Sequence, residues 1–178
     1  MRPAENPYRV TRLHALRYRF VDGSREELWR RLEAQSLRGA LLGPEGSGKS
    51  TLLRELGDEL RARGFRVRAL QLREEEPVPW DLLRGVGERD AVLLDGSEQL
   101  GVADRWSFRW ITRRAGALLI TAHAETWLPA VIRTRTTPAL LNELASELED
   151  GVQVGELWSR HRGNVREALR ALYDLRTT

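Results

Sequence analysis

Cysteine is absent from the 178 residues. That excludes disulfides and thiolate zinc sites and fits a cytosolic setting. Long apolar runs are also missing. No stretch approaches the length of a membrane span. The start, Met1-Arg2-Pro3-Ala4-Glu5-Asn6-Pro7, lacks the apolar segment of a signal peptide. The expectation is a cytoplasmic chain with no membrane partner. No repeat or low-complexity tract is present. Lysine is scarce as well: among 29 basic residues only Lys49 is a lysine and the rest are arginine. Arginine's high pKa explains a pI near 9.9 beside a net charge of only +3. The arginines alternate with Glu and Asp, and no block of five or six like charges occurs. That pattern predicts a salt-bridged, solvated surface rather than a nucleic-acid-binding face. Against these absences stands a hydrophobic fraction of 41%. It excludes disorder and fills the core of one compact domain, with room for a small appendage.

The apolar pattern predicts an alternation of strands and helices. Ser24 and Glu27 have the spacing of a capping box and open a helix to about Gln35, with Leu28, Trp29 and Leu32 on one side. Gly39–Leu42 is a short buried strand. Lys49–Ala62 is a helix with Leu52, Leu53, Leu56 and Leu60 as its apolar stripe, stopped by Gly64. Phe65–Ala69 alternates as an edge strand does. Trp80–Val86 reads as a short helix. Ala91–Leu94 and Ala117–Ile120 are buried strands, ending in Asp95 and Thr121, and Ala130–Arg133 is a fifth. Trp106 and Trp110 sit at i, i+4 on the helix between the two buried strands, a spacing expected of core packing rather than base stacking. Asp150-Gly151 is expected to turn the chain. Thr137-Pro138 and Asn164…Glu167 are helix-start signals for two helices near the end. The expected fold is a three-layer α/β core with a mostly parallel sheet over residues 1–136, in which 1–36 form an N-terminal extension and helix. A small helical lid follows over residues 137–178.

The chemistry concentrates at Gly43-Pro44-Glu45-Gly46-Ser47-Gly48-Lys49-Ser50-Thr51. This matches G-x-x-x-x-G-K-[ST] and lies between an apolar strand and a helix, the context the motif requires. Glycines let the backbone turn its N–H groups around phosphate oxygens, and the helix N-terminus adds its dipole. Lys49 is placed to reach the β- and γ-phosphates, and Ser50 to bind Mg²⁺. That the one lysine stands at this position is a second argument, since a compact ammonium and a planar guanidinium are not interchangeable there. ATP with Mg²⁺ is the expected ligand pair. Asp95 ends a hydrophobic strand, where a Walker B carboxylate would stand close to the phosphates and hold the metal.

Asp95-Gly96-Ser97-Glu98-Gln99-Leu100 resembles the Walker B segment of NACHT-like signal-transduction (STAND) ATPases within the AAA+ superfamily. In that pattern a tiny residue follows the aspartate and a second acid comes two positions later. The resemblance implies that Glu98, rather than the residue directly after Asp95, orients or deprotonates the attacking water. Leu118-Leu119-Ile120-Thr121-Ala122-His123 resembles the sensor 1 strand, with Thr121 at its tip and His123 where STAND proteins often carry arginine. Residues 161–169 resemble the sensor 2 segment, in which Arg166 would reach the γ-phosphate from the lid. The resemblance covers about residues 37–170 and describes a minimal single module, with no winged-helix domain expected after residue 176. Arg133 and Arg135 fall where an arginine finger could lie, without a local feature to single them out. Residues before the P-loop often line the base pocket in AAA+ proteins, which makes Tyr18 and Phe20 candidates for adenine, with core packing as their other fate.

The implied activity is ATP hydrolysis that drives a switch or motor step on an unidentified protein or nucleic-acid partner, in a chain that could form homo-oligomers. The alternative is a P-loop kinase passing the γ-phosphate to a polynucleotide or small-molecule acceptor, with Arg160-His161-Arg162 and Arg166 as a basic lid. ATP binding with negligible hydrolysis is a third reading.

Overall fold

The computed structural model describes residues 16–149 and 154–177. Along them run α1 (Arg25–Ala34), β1 (Arg38–Leu42), α2 (Lys49–Ala62), β2 (Arg66–Gln71), β3 (Asp90–Asp95), α3 (Val102–Ile111), β4 (Ala117–Ala122), β5 (Ala130–Arg133), α4 (Pro138–Leu148), α5 (Gly155–Arg160) and α6 (Val165–Thr177). The expected turn at Asp150-Gly151 lies outside the described residues. The segment expected as a short helix at Trp80–Val86 is a single 3₁₀ turn, Trp80–Leu83. The short α5 was not expected.

The strands form one parallel sheet in the order β2-β3-β4-β1-β5. Strand pleating sends alternate side chains to opposite faces, so each central strand serves two cores. Leu41, Ala91, Leu93, Ala117 and Leu119 join Leu28 and Leu32 of α1 and Leu52, Leu56 and Leu60 of α2 on one face. Ala40, Leu42, Val92, Leu94, Leu118 and Ile120 join Leu83, Leu100 and Phe108 on the other. Burying each such leucine contributes about 2 kcal/mol, so both layers are strongly held. Ser24 caps α1 by accepting the Glu27 N–H at 3.2 Å, and Trp29 reaches across to Glu59 of α2.

The edge strand β2 is tied to β3 by a buried carboxylate. Asp90 is fully shielded from solvent and takes Arg68 Nε at 2.8 Å, Arg66 at 3.0 Å and the Gly87 N–H at 2.9 Å. Burial by itself would raise its pKa. The Gly87 amide and the two guanidiniums outweigh burial and hold the carboxyl below its ordinary range.

Trp106 and Trp110 do not pack in the core, contrary to expectation: they are 65% and 67% exposed. On α3 the side toward the sheet is filled by Phe108, with Ile111 packed against the same cluster. Positions 106 and 110 lie roughly half a turn from 108 at 100° per residue, so their stripe faces solvent. The i, i+4 rule identified a shared stripe but not which of two apolar stripes meets the sheet.

After β5, helices α4, α5 and α6 pack around a cluster of their own, which includes Leu141, Leu144, Leu157, Val165, Leu169 and Leu172, with Leu16 against it. The Thr137 hydroxyl caps α4 by accepting the Leu140 N–H at 3.1 Å. Asn164 caps α6 by accepting the Glu167 N–H at 3.1 Å.

Candidate nucleotide-binding site

The loop Gly43–Gly48 joins the C-terminal end of β1 to the first turn of α2, so the amides at the start of α2 face the same space as the loop. Its shape is set from two sides. On the sheet side, the buried Ser47 hydroxyl donates to Pro44 O at 2.7 Å and lies 2.6 Å from the Thr134 hydroxyl, which itself donates to Leu42 O at 3.1 Å. On the other side, Gly46 meets the start of α6: a Cβ there would lie 1.9 Å from Asn164 Oδ1 and 3.3 Å from the Arg166 nitrogen. Only glycine, at φ +72°, admits that approach. Lys49 is buried, and its ammonium donates to Gly43 O at 2.7 Å and Pro44 O at 2.8 Å. Burial pushes its pKa down. The charges that act on it are Glu98 and Asp95, which oppose the shift, Arg166, which adds to it, and Glu45, which opposes it. Glu98, Asp95 and Arg166 therefore all lie within electrostatic reach of the Lys49 ammonium.

Asp95 ends β3, and its carboxylate accepts the Thr121 hydroxyl at 2.6 Å. That hydroxyl in turn accepts the Gly96 N–H at 2.9 Å. The contact follows from strand order: β4 runs between β1 and β3, so its tip falls between the phosphate loop and Asp95. Gly96 has φ +84°, and a Cβ there would come within 2.7 Å of Leu72 O. A side chain directly after Asp95 is thus sterically excluded, which explains the tiny residue at that point. The next acid, Glu98, sits in the 3₁₀ turn Ser97–Gln99, with its Oε1 3.4 Å from His123 Nε2.

A cleft of about 970 Å³ opens beside these groups. Its walls bring together Gly46, Ser47, Gly48, Ser50 and Thr51 from the loop and α2, Asp95 from β3 and Arg166 from α6. Gly43, Pro44 and Glu45, expected to contact the nucleotide, do not line it, and neither do Lys49, Glu98, Thr121 and His123. Thr121 connects to it through its bond to Asp95, Glu98 and Lys49 through charge, and His123 only through its contact with Glu98. Tyr18 lines the cleft, its ring against Gly48 and its phenol pushed up to about 12, first of all by burial. Phe20 does not: it packs edge-on to Tyr18 at 4.9 Å and against the core cluster under α1 and α2. Arg133 and Arg135 are exposed, ion-paired to Glu125 and Asp22, and away from the cleft walls. The sequence reading missed Leu16, Leu140, Leu169 and Tyr173 on the side of the cleft formed with the C-terminal helices, and Thr134 behind the loop. Arg166, Leu169 and Tyr173 follow i, i+3, i+7, so helical periodicity could have found that wall. No local signal marks Thr134, which acts only through a fold that brings β5 beside β1.

Among solved structures, the chain resembles the RuvB Holliday junction branch migration motor of Thermotoga maritima. The TM-score is 0.56 at 20% sequence identity, over 85% of this chain. The chain has a P-loop NTPase fold. It spans 60% of the length of that RuvB chain. No protein-family model and no curated protein matches it. Within a P-loop NTPase core the donor set suits a magnesium ion that arrives with its nucleotide. Among the described residues no cluster of three carboxylate or histidine ligands could hold a metal alone. Ser50 and Asp95 line one cleft, and their side-chain oxygens would be the donors to such an ion. No described helix is long and apolar enough to cross a membrane.

Proposed function

We propose that the chain binds Mg·ATP in this cleft and hydrolyses it, acting as a nucleotide-driven switch or motor on a partner in the manner of AAA+ and STAND ATPases. The observation that carries the reading is the seat of α6 on the phosphate loop. Asn164 packs on Gly46, and Arg166 stands within electrostatic reach of Lys49. Among the described residues Arg166 has no ion-pair partner, and a guanidinium so placed is free to bind phosphate oxygens. We take residues 1–136 as the catalytic core and 137–178 as a lid that senses the nucleotide. The loop amides and Lys49 hold the triphosphate. Ser50 and Asp95 would hold magnesium, which supplies charge neutralisation across the phosphates. Glu98, held near His123, takes a proton from water as its oxygen attacks the γ-phosphorus and the bond to ADP breaks. Lys49 and Arg166 stabilise the charge spread over the transferring group. Tyr18, with Leu140 and Tyr173, forms the apolar wall suited to a base. The glycine after Asp95 and the acid two positions on support the STAND-like variant, and the likeness to a branch migration motor supports mechanical output. The partner is a protein or a nucleic acid, and assembly into a homo-oligomer accords with such output. The kinase alternative gains no support from the β4 tip, where Thr121 is bonded to Asp95.

Paired titrations of ATP analogue and ADP on wild type and Arg166→Ala test this reading. A charge-assisted bond to the γ-phosphate contributes roughly 1.5–3 kcal/mol, so the variant should lose about ten- to a hundred-fold in ATP affinity and far less for ADP. Equal small losses for both ligands would reduce residues 163–169 to a helix cap.

A further inference from the structure

The face of α3 turned away from the sheet is built unlike the rest of the surface. Val102, Trp106 and Trp110 follow one another at i+4, and among the described residues they are three of the five large apolar side chains that stand exposed. The adjacent stripe carries arginine. Arg109 stacks 5.1 Å from the Trp106 ring centroid and Arg113 3.7 Å from that of Trp110, with Arg113 also donating to Trp110 O at 2.7 Å. Arg114 is exposed beside them. Between Gln99 and Ala124 the sequence has four arginines and a single acid, Asp104. The alternation of charge seen elsewhere is broken here, so this face is positive as well as aromatic.

We infer that the solvent face of α3 binds a single strand of nucleic acid, with bases stacked on Trp106 and Trp110 and phosphates held by Arg109, Arg113 and Arg114. An indole with two-thirds of its surface open and a guanidinium on one side offers a flat, cation-backed platform to any base. Four residues of helix separate the rings by about 6 Å, more than the 3.4 Å between stacked neighbours in a duplex strand, so the fit is to unstacked, extended nucleotides. A duplex hides its base faces and could meet only the arginines. Neither indole nor guanidinium, placed this way, reads the 2′-hydroxyl, so DNA and RNA single strands are both ligands. This inference concerns the opposite sheet face from the α1–α2 layer and does not depend on ATP turnover.

The test uses the full chain without nucleotide, and fluorescence anisotropy of end-labelled oligothymidylate, oligouridylate and a duplex of equal length. Both single strands are expected to bind more tightly than the duplex. Trp106→Ala with Trp110→Ala should weaken binding by at least about 25-fold, since each stacked base accounts for roughly five-fold or more. The paired Phe substitutions should retain most of the affinity. Arg109→Gln with Arg113→Gln should weaken binding and flatten the slope of log K against log salt by about 1.4. Three results would overturn the inference: no binding of either single strand by wild type at low salt, tighter binding of duplex, or Trp-to-Ala variants that bind oligonucleotide as wild type does. If those variants keep oligonucleotide affinity and instead convert an associated form to monomer in sedimentation, the face is a protein interface and the inference is wrong.

Discussion

Replacing Thr121 by valine removes one hydroxyl and almost no volume, and it isolates the link between the sheet and the Asp95 carboxylate. Thr121 is 2% exposed, so neither of its bonds is readily replaced by water on its own side. The variant loses the bond to Asp95 Oδ1, which is charge-assisted and is the stronger of the two. It also leaves the Gly96 N–H without its acceptor. Fully buried, the two losses would sum to roughly 3–5 kcal/mol. Asp95 and Gly96 are only half-buried, so solvent recovers part, and about 2 kcal/mol is the expected net cost. Valine fills the threonine's space, so no cavity term adds to it. For a chain of this size 2 kcal/mol lowers Tm by about 4–8 °C. The freed carboxylate should also hold magnesium less well, by about ten- to a hundred-fold as for other residues that orient metal ligands. Denaturant unfolding and a magnesium titration of fluorescent ATP-analogue binding measure the two effects, and Thr121→Ser should restore both. An unfolding midpoint equal to wild type would refute the hydrogen-bond reasoning. Lost stability with unchanged magnesium dependence would show that Thr121 serves the fold alone.

Glu98→Gln should bind ATP as wild type does and slow phosphate release by about a hundred-fold or more, the ordinary contribution of a general base; single-turnover rates check it, and wild-type turnover would assign the water to another group. Asp90→Ala leaves Arg68 beside an empty acceptor site and should cost about 3 kcal/mol at neutral pH. Because the Asp90 pKa is depressed in the folded state, its contribution is complete above the unfolded carboxyl value near 3.9 and fades as pH falls through the lower folded value. The stability gap between Asp90→Ala and wild type, followed by denaturant melts, should therefore shrink below about pH 4, and a gap that widens there would contradict the sign.

What the sequence disclosed and what it hid divide along a physical line. Each strand of the sheet was legible because its apolar run or alternation is local, and so was Lys49–Ala62, whose leucines repeat at helical spacing and whose stop is Gly64. The positions of the loop Gly43–Thr51 and of Asp95 were legible, the first because G-x-x-x-x-G-K-[ST] has fixed spacing between a strand and a helix, the second because an apolar run ends there. Contacts between distant segments were not. The Ser47–Thr134 pair joins residues 87 positions apart, and the closeness of Asn164 to Gly46 depends on how the C-terminal helices pack. Gly96 is a middle case: its smallness was visible as a pattern, but its cause, the carbonyl of Leu72, appears only in three dimensions. Trp106 and Trp110 mark the limit of periodicity, which groups residues onto a face without saying what the face meets.

The central claim is that this cleft hydrolyses ATP, and a time course with γ-labelled ATP and magnesium tests it most directly. The wild-type chain should release free phosphate, and Lys49→Ala, which should keep wild-type circular dichroism while binding triphosphate weakly, should release none. Label transferred to an added acceptor, or phosphate release that survives in Lys49→Ala, would contradict it.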